Sequence, residues 1–156
     1  MDKPLILEAD RLMAYERIAE LEQMIIDLGP EIEAALNQSS ETYHDNAPFE
    51  VVRDRRSNLI ANIRELRDIL VHSTKQMPPK RAGVVSVDTS IEVQNGTTMQ
   101  RHRYYLAGDW TLRTGTLHQG ALVLSRKSPL GALLEGKKVG AALSFNGAIL
   151  TILSVN

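Results

Sequence analysis

The side chains able to do chemistry in this chain are few in kind. There is no cysteine, which removes disulfide frameworks, thiolate zinc sites and thiol nucleophiles. Four histidines remain for metal or acid–base work: His44, His72, His102 and His118. None lies three or four residues from another, the spacing that sets two ligands on one helical face, so a dedicated zinc site is not expected. The most polar stretch, 38–48, brings Glu41, Tyr43, His44, Asp45 and Asn46 close together in sequence. Local chemistry gives these residues ordinary work: Asn46 suits a helix N-cap, Asp45 suits the positive end of a helix, and Glu41 suits a solvated turn. Pro48 fits a first helical turn, where a missing N–H costs little.

The elements on either side must position that stretch. Before it, Ala14, Ile18, Leu21, Ile25, Leu28, Ile32 and Ala35 recur in a 4-3-4-3-4-3 spacing, the apolar seam of a coiled coil. After it, Phe49, Val52, Arg56, Leu59, Ile63, Leu66 and Leu70 recur in the complementary order, with Arg56 the one charged intruder. Two matched stripes joined by a short polar segment predict an antiparallel helical hairpin that buries its own seams and needs no second chain. A monomer is therefore expected. Gly29-Pro30 interrupts the first stripe, and a proline inside a helix removes a hydrogen bond, so a kink or local break is expected there. The reading gives a hairpin over 1–77 with its tip at about 38–48.

Met77-Pro78-Pro79-Lys80-Arg81 reads as a stiff linker, placed at 78–82, because proline restricts itself and its predecessor. Beyond it, strand formers alternate over 83–87, 90–93, 103–107, 121–124, 141–145 and 148–153, with Asn95-Gly96 and Asn146-Gly147 as hairpin turns. The segment from Ser128-Pro129 to Gly136 reads as one short helix. The fold class is thus α+β: a helical hairpin, then a small antiparallel sheet with one helix over 83–156.

The net charge of −1 conceals two poles. Residues 80–156 carry nine Lys or Arg against four acids, whereas 8–33 carry eight acids against Arg11 and Arg17. Such polarity suits an oriented encounter with a large charged partner, although a solvated surface with uneven charge accounts for it equally. No apolar run reaches the roughly 20 residues of a membrane span and no leader pattern opens the chain, so a cytoplasmic protein with no membrane partner is expected.

A hairpin with Asp45-Asn46-Ala47-Pro48-Phe49 near its tip and Arg53 beyond it resembles the Asn-Ala segment of bacterial Gre transcript-cleavage factors. In the second half, Ser128-Pro129-Leu130 followed by Leu134-Glu135-Gly136-Lys137-Lys138-Val139-Gly140 is similar to the signature of that family's FKBP-like C-terminal domain, and Tyr104-Tyr105-Leu106-Ala107-Gly108 resembles one of its strands. The resemblance spans nearly the whole chain. It implies a partner, bacterial RNA polymerase, whose secondary channel the hairpin enters while Ser128, Pro129 and Leu130 meet the channel rim. It implies that Asp45 and Glu41 are the working acids, holding a magnesium ion jointly with the polymerase so that the polymerase cleaves its own backtracked RNA. Oxygen ligands suit magnesium, and two-metal sites stabilise both oxygens of an in-line phosphoryl displacement. Asn46, His44, Arg53 and Arg55 are then the residues expected to touch the nascent RNA 3′ end or the polymerase. On this reading the protein is no enzyme by itself and has no cofactor of its own.

The tip departs from the family pattern. Thr42 stands where the first of two acids is usual, Glu41 lies one residue earlier, and the segment after Pro30 is about two residues short of the usual spacing. A polymerase inhibitor of the same architecture, occupying the channel without supporting cleavage, is therefore the alternative. A prolyl isomerase or peptide-binding module is disfavoured because the second half is poor in aromatics, and a scaffold without polymerase affinity remains the fourth reading. The arginines at 53, 55 and 56 could equally serve as surface ion pairs, with the stem of Arg56 along the seam.

Overall fold

The first apolar stripe becomes a 34-residue helix, α1 (Glu8–Glu41), and the second becomes α2 (Ala47–Val71). The computed structural model describes residues 3–41 and 47–156, and for 38–41, 47 and 48 it describes the backbone alone. No helix among the described residues is long and apolar enough to cross a membrane. The chain divides into two compact units, one of 12–72 and one that combines the first eleven residues with 73–156.

The hairpin unit is built as its periodicity predicts. Ala14, Ile18, Leu21, Leu28 and Ala35 are buried on α1, and Val52, Ile63, Leu66 and Leu70 on α2. Burying one such leucine or isoleucine contributes about 1.5–3 kcal/mol, so the seam carries the unit. Arg56 is exposed. Two ion pairs cross between the helices: Glu22 with Arg67, and Glu31 with Arg55 at 2.8 Å. As the position on α1 rises from 22 to 31, its partner on α2 falls from 67 to 55, which makes the hairpin antiparallel.

The expected break at Gly29-Pro30 is absent, since α1 continues through Pro30. The physical reason lies in where the proline falls. Gly29, Pro30 and Ile26, whose carbonyl loses its usual donor, are all on the exposed flank, where water can satisfy that carbonyl. Leu28 and Ala35 stay buried on the seam to either side and hold the helix through the weak point.

In the other unit six strands form one sheet in the order β3-β4-β2-β1-β6-β5. They are β1 (Thr89–Asn95), β2 (Arg101–Ala107), β3 (Leu117–His118), β4 (Ala121–Ser125), β5 (Ala142–Phe145) and β6 (Ala148–Val155), with the short helix α3 (Pro129–Leu134) between β4 and β5. The expectation of an antiparallel sheet needs one correction: β2 and β4 pair in parallel. The connection between them, 108–120, carries β3, which turns back onto β4 through Gln119 and Gly120, both at positive φ. That geometry is what a two-residue hairpin needs.

Alternation along the strands feeds two cores. Ile91, Val93, Leu106 and Ile152 pack with Leu130 and Leu134 of α3 on one face. Tyr105, Ala107, Ala121 and Val123 face the other way and pack with Leu5, Leu7 and Val87. The segment 83–87, read as a strand, makes only an isolated bridge between Val84 and Lys138. Val85 and Val87 instead enter opposite cores, around a turn in which Thr89 Oγ1 donates to the Ser86 carbonyl at 2.6 Å.

The division at 1–77, 78–82 and 83–156 is displaced in the structure, because the N-terminal arm and the proline segment both belong to the sheet unit. Leu5 N–H donates to Asp109 Oδ2 at 2.6 Å, Asp109 N–H donates back to the Leu5 carbonyl at 2.7 Å, and Ile6 N–H reaches the Thr74 carbonyl at 3.2 Å. Gly108 makes the approach possible, since a Cβ there would stand 2.3 Å from the Leu5 carbonyl oxygen.

Candidate functional site

Glu41 ends α1 and Ala47 opens α2, so 42–46 connect them and Pro48 lies in the first turn of α2, as expected. His44, Asp45 and Asn46 lie outside the described residues, as does Thr42, and nothing is described of the Glu41 side chain. What is described is their carrier: at 1.5 Å per residue α1 runs for about 50 Å. Among the described residues no cluster of three or more His, Asp or Glu could hold a metal ion.

The arginines beyond the tip divide. Arg55 is committed to the cross-helix pair with Glu31. Among the described residues Arg53 pairs with its neighbour Asp54, with Nε 3.8 Å from Oδ1, and both side chains are more than half exposed. A contact so loose contributes little and leaves the guanidinium accessible.

Ser128, Pro129 and Leu130 are assembled by α3 and largely used by it. Ser128 Oγ caps the helix, accepting from Gly131 N–H at 3.1 Å, and donates to the Ser125 carbonyl at 2.6 Å. Pro129 begins the helix, and Leu130 is buried in the core. Gly131 is required, because a Cβ there would stand 2.1 Å from the Ser125 carbonyl oxygen. The accessible chemistry lies beside this motif. A groove of about 770 Å³ is lined by Lys3, Asp109, Arg126, Lys127 and Glu135 among others. Arg126 bridges Glu135 at 3.0 Å and Asp109 at 3.6 Å, while Lys127 is 75 % exposed.

One constellation escaped the sequence reading. Asp10, fully buried, accepts from Arg113 Nε at 2.6 Å, Arg113 Nη2 at 3.0 Å and Thr111 Oγ1 at 2.6 Å. The Arg113 guanidinium lies 5.4 Å from the Tyr105 ring centre, and His118 stacks on that ring at 4.0 Å. Arg113 Nη1 is 3.3 Å from His118 Nδ1 and can only donate, so Nδ1 is the accepting nitrogen of the imidazole. Tyr105 donates its hydroxyl to Asp88, which also takes Lys80 Nζ at 2.9 Å. Burial, then the hydrogen bond to and charge of Asp88, push the Tyr105 phenol up to about 12. Burial alone would raise the Asp88 carboxyl, but the Tyr105 hydroxyl and the Lys80 ammonium outweigh it and hold the group below its ordinary value. The hydrogen bonds that Arg113 donates to Asp10 raise its guanidinium against the opposing effect of burial.

A signal for the neighbouring Arg11, outside this network, was in the seam. Extending the 4-3 spacing upstream from Ala14 reaches Arg11 and Leu7, so a buried charge was due at the base of α1. Arg11 is indeed buried, with Nη2 donating to the Thr74 carbonyl at 3.3 Å.

Against known proteins, no family profile matches the chain. It is 29% identical over 150 residues to transcription elongation factor GreA of Mycobacterium tuberculosis, covering 92% of this chain and 89% of that protein. It is 28% identical over 135 residues to the GreA of Mycolicibacterium vanbaalenii, covering 85% and 80%. GreA factor homolog 1 (Gfh1) of Thermus thermophilus aligns over 99% of both chains with 15% identity and a TM-score of 0.42. The sequence likeness to the GreA proteins runs through both units and bears out the resemblance first read from the motifs.

Proposed function

We propose that this protein is a transcription elongation factor that acts on bacterial RNA polymerase, reaching its active centre through the secondary channel and stimulating cleavage of backtracked RNA. The observation that carries the reading is the alignment with elongation factors along 92% of the chain. The continuous α1, which runs to Glu41, supports it.

In this reading the polymerase performs the cleavage and the protein delivers groups to it. Asp45, with Glu41, would supply carboxylate oxygens to hold a magnesium ion shared with the polymerase, and that ion would supply charge stabilisation to phosphoryl displacement. Asn46 and His44 flank the acid, and Arg53, loosely held, is free to meet RNA phosphate or an acidic polymerase surface. At the channel rim the inward-facing Ser128 and Leu130 shape α3, while Lys127 offers accessible charge beside it. A hairpin that fills its own seam favours action as a monomer, in the cytoplasm where the polymerase works.

The second reading, a channel-occupying inhibitor, is favoured by one feature: Thr42 occupies the place of the usual first acid. RNA cleavage in a stalled, backtracked elongation complex separates the two, comparing wild type, Asp45→Ala and Glu41→Ala at matched polymerase occupancy. Loss in Asp45→Ala alone identifies one working acid, and loss in both variants shows that Glu41 replaces the missing partner. A wild type that binds, leaves RNA uncut and slows synthesis establishes the inhibitor instead.

A further inference from the structure

Asn-Gly occurs twice in the chain, at 95–96 and at 146–147, each time at the end of a strand of the sheet unit. The pair carries a reaction of its own. A glycine N–H, unhindered by a side chain, can attack the Cγ carbonyl of the preceding asparagine. An N–C bond forms, the Cγ–N bond breaks, and the glycine proton leaves with the side-chain nitrogen as ammonia, closing a cyclic imide. Water then opens the imide at either carbonyl to give aspartate or isoaspartate, and no oxidant or cofactor is consumed.

The two pairs differ in what holds them. Gly96 N–H donates to the Ile149 carbonyl at 2.8 Å, and Asn95 Oδ1 accepts from Thr97 N–H at 2.8 Å and Thr98 N–H at 3.1 Å. The main chain of Asn95 is also engaged, its N–H with the Gln100 carbonyl and its carbonyl with Met99 N–H. Nucleophile and electrophile are thus both in use, and their bonds must break before they meet. Asn146 and Gly147 are both exposed, and neither the Gly147 N–H nor the Asn146 side chain has a hydrogen-bond partner among the described residues. No atom lies within 4 Å of the place a Gly147 Cβ would take, so water has free access. The strand that the turn closes, β5, is a four-residue edge strand held by β6 alone. Such an edge opens locally more readily than a strand paired on both sides.

We infer that Asn146 is a site of spontaneous deamidation, and that its isoaspartate product unlatches β5 from β6. Isoaspartate carries the main chain through the former side chain, which adds a backbone carbon to a tight turn whose geometry fixes the strand register. The pairing of Phe145 with Ala148, next to the turn, is the first to suffer. Its loss withdraws Leu143 and Phe145 from the core they share with Leu150 and Ile152. Ordinary aspartate has no such effect, since it keeps the backbone and accepts the positive φ of position 146. The reaction therefore marks the age of a folded molecule at one turn and spares the other.

The full chain, folded or unfolded in urea, is held at physiological temperature and mildly alkaline pH and sampled over days. Trypsin separates the pairs, placing Asn95 in 82–101 and Asn146 in the segment that begins at Val139. Mass spectrometry reads the gain of about 1 Da in each segment, and methylation by an isoaspartyl methyltransferase counts the isoaspartate. Modification at Asn146 should outpace that at Asn95 by about tenfold or more in the folded protein, and the two rates should come within about twofold in urea, where no hydrogen bond separates them. Asn146→Gly, which suits the positive φ, should abolish the signal from the second segment. A folded Asn146 that reacts no faster than Asn95, or that stays intact while the unfolded chain is converted, overturns the site. The latch is read by hydrogen exchange over 142–145, which should be about tenfold faster in aged protein, corrected for its isoaspartate content, than in Asn146→Asp, where the same charge sits on an unlengthened backbone. Equal exchange in the two overturns the unlatching.

Discussion

The hairpin unit and the sheet unit solve stability in opposite ways. The hairpin has one narrow seam, and its ion pairs lie outside it, about half exposed. The sheet unit has a core on each face and encloses a charged pair, Asp10 with Arg113, together with its supporting network. Charge is therefore dispensable in the first unit and built into the second. The same pairing of Arg with a carboxylate contributes little on the hairpin surface and becomes costly to disturb once water is excluded.

The largest break in that contrast should come from Arg113→Ala. It leaves the Asp10 carboxylate buried without its partner, and a loss of about 3–5 kcal/mol is expected in urea unfolding. Leu28→Ala on the hairpin seam should cost about 2–5 kcal/mol, toward the lower end, because a two-helix seam can close around the gap. Pro30→Ala should raise stability by up to about 3 kcal/mol, restoring the donor that α1 lacks, and a higher thermal midpoint reads it. Arg55→Ala should change stability by less than about 1 kcal/mol. A loss as large as that of Arg113→Ala would sink the contrast between surface and enclosed charge.

The smallest effect is a pH slope. Asp88 is held below its ordinary value of 3.8 in the folded chain. A carboxyl depressed by folding stabilises the protein above its unfolded value and loses that contribution as pH falls through its folded value. Thermal midpoints of the wild type should therefore decline on acidification below about pH 4. In Asp88→Asn the decline over that window should be shallower, and an identical slope would show that Asp88 contributes nothing.

What could be read in advance follows the range of the interactions. The hairpin was legible because its determinants recur every three or four residues, and Asn146-Gly147 was legible because both residues adopt the positive φ such a turn requires. The short helix was marked at both ends by Pro129 and Gly136. The parallel pairing of β2 with β4 was not, because strand composition does not encode direction. Gln119-Gly120 lacks the asparagine or aspartate that signals a tight hairpin, so β3 passed unseen. At Gly29-Pro30 a local rule yielded to the packing of Leu28 and Ala35. For the candidate site, the acids Glu41 and Asp45 came from the resemblance and their identity as oxygen donors. The pairing of Asp10 with Arg113 lay beyond reach because the partners are 103 positions apart.

The N-terminal arm has a consequence for vectorial synthesis. Leu5 leaves the ribosome well before its partner Asp109, which emerges about a hundred residues later. The sheet cannot close until β6, its penultimate member in space and last in sequence, has also emerged. The hairpin has all of its seam partners by residue 72. Nascent chains should therefore hold a formed hairpin while the sheet is still incomplete, with Leu5 waiting for Asp109 after Ile6 has met Thr74.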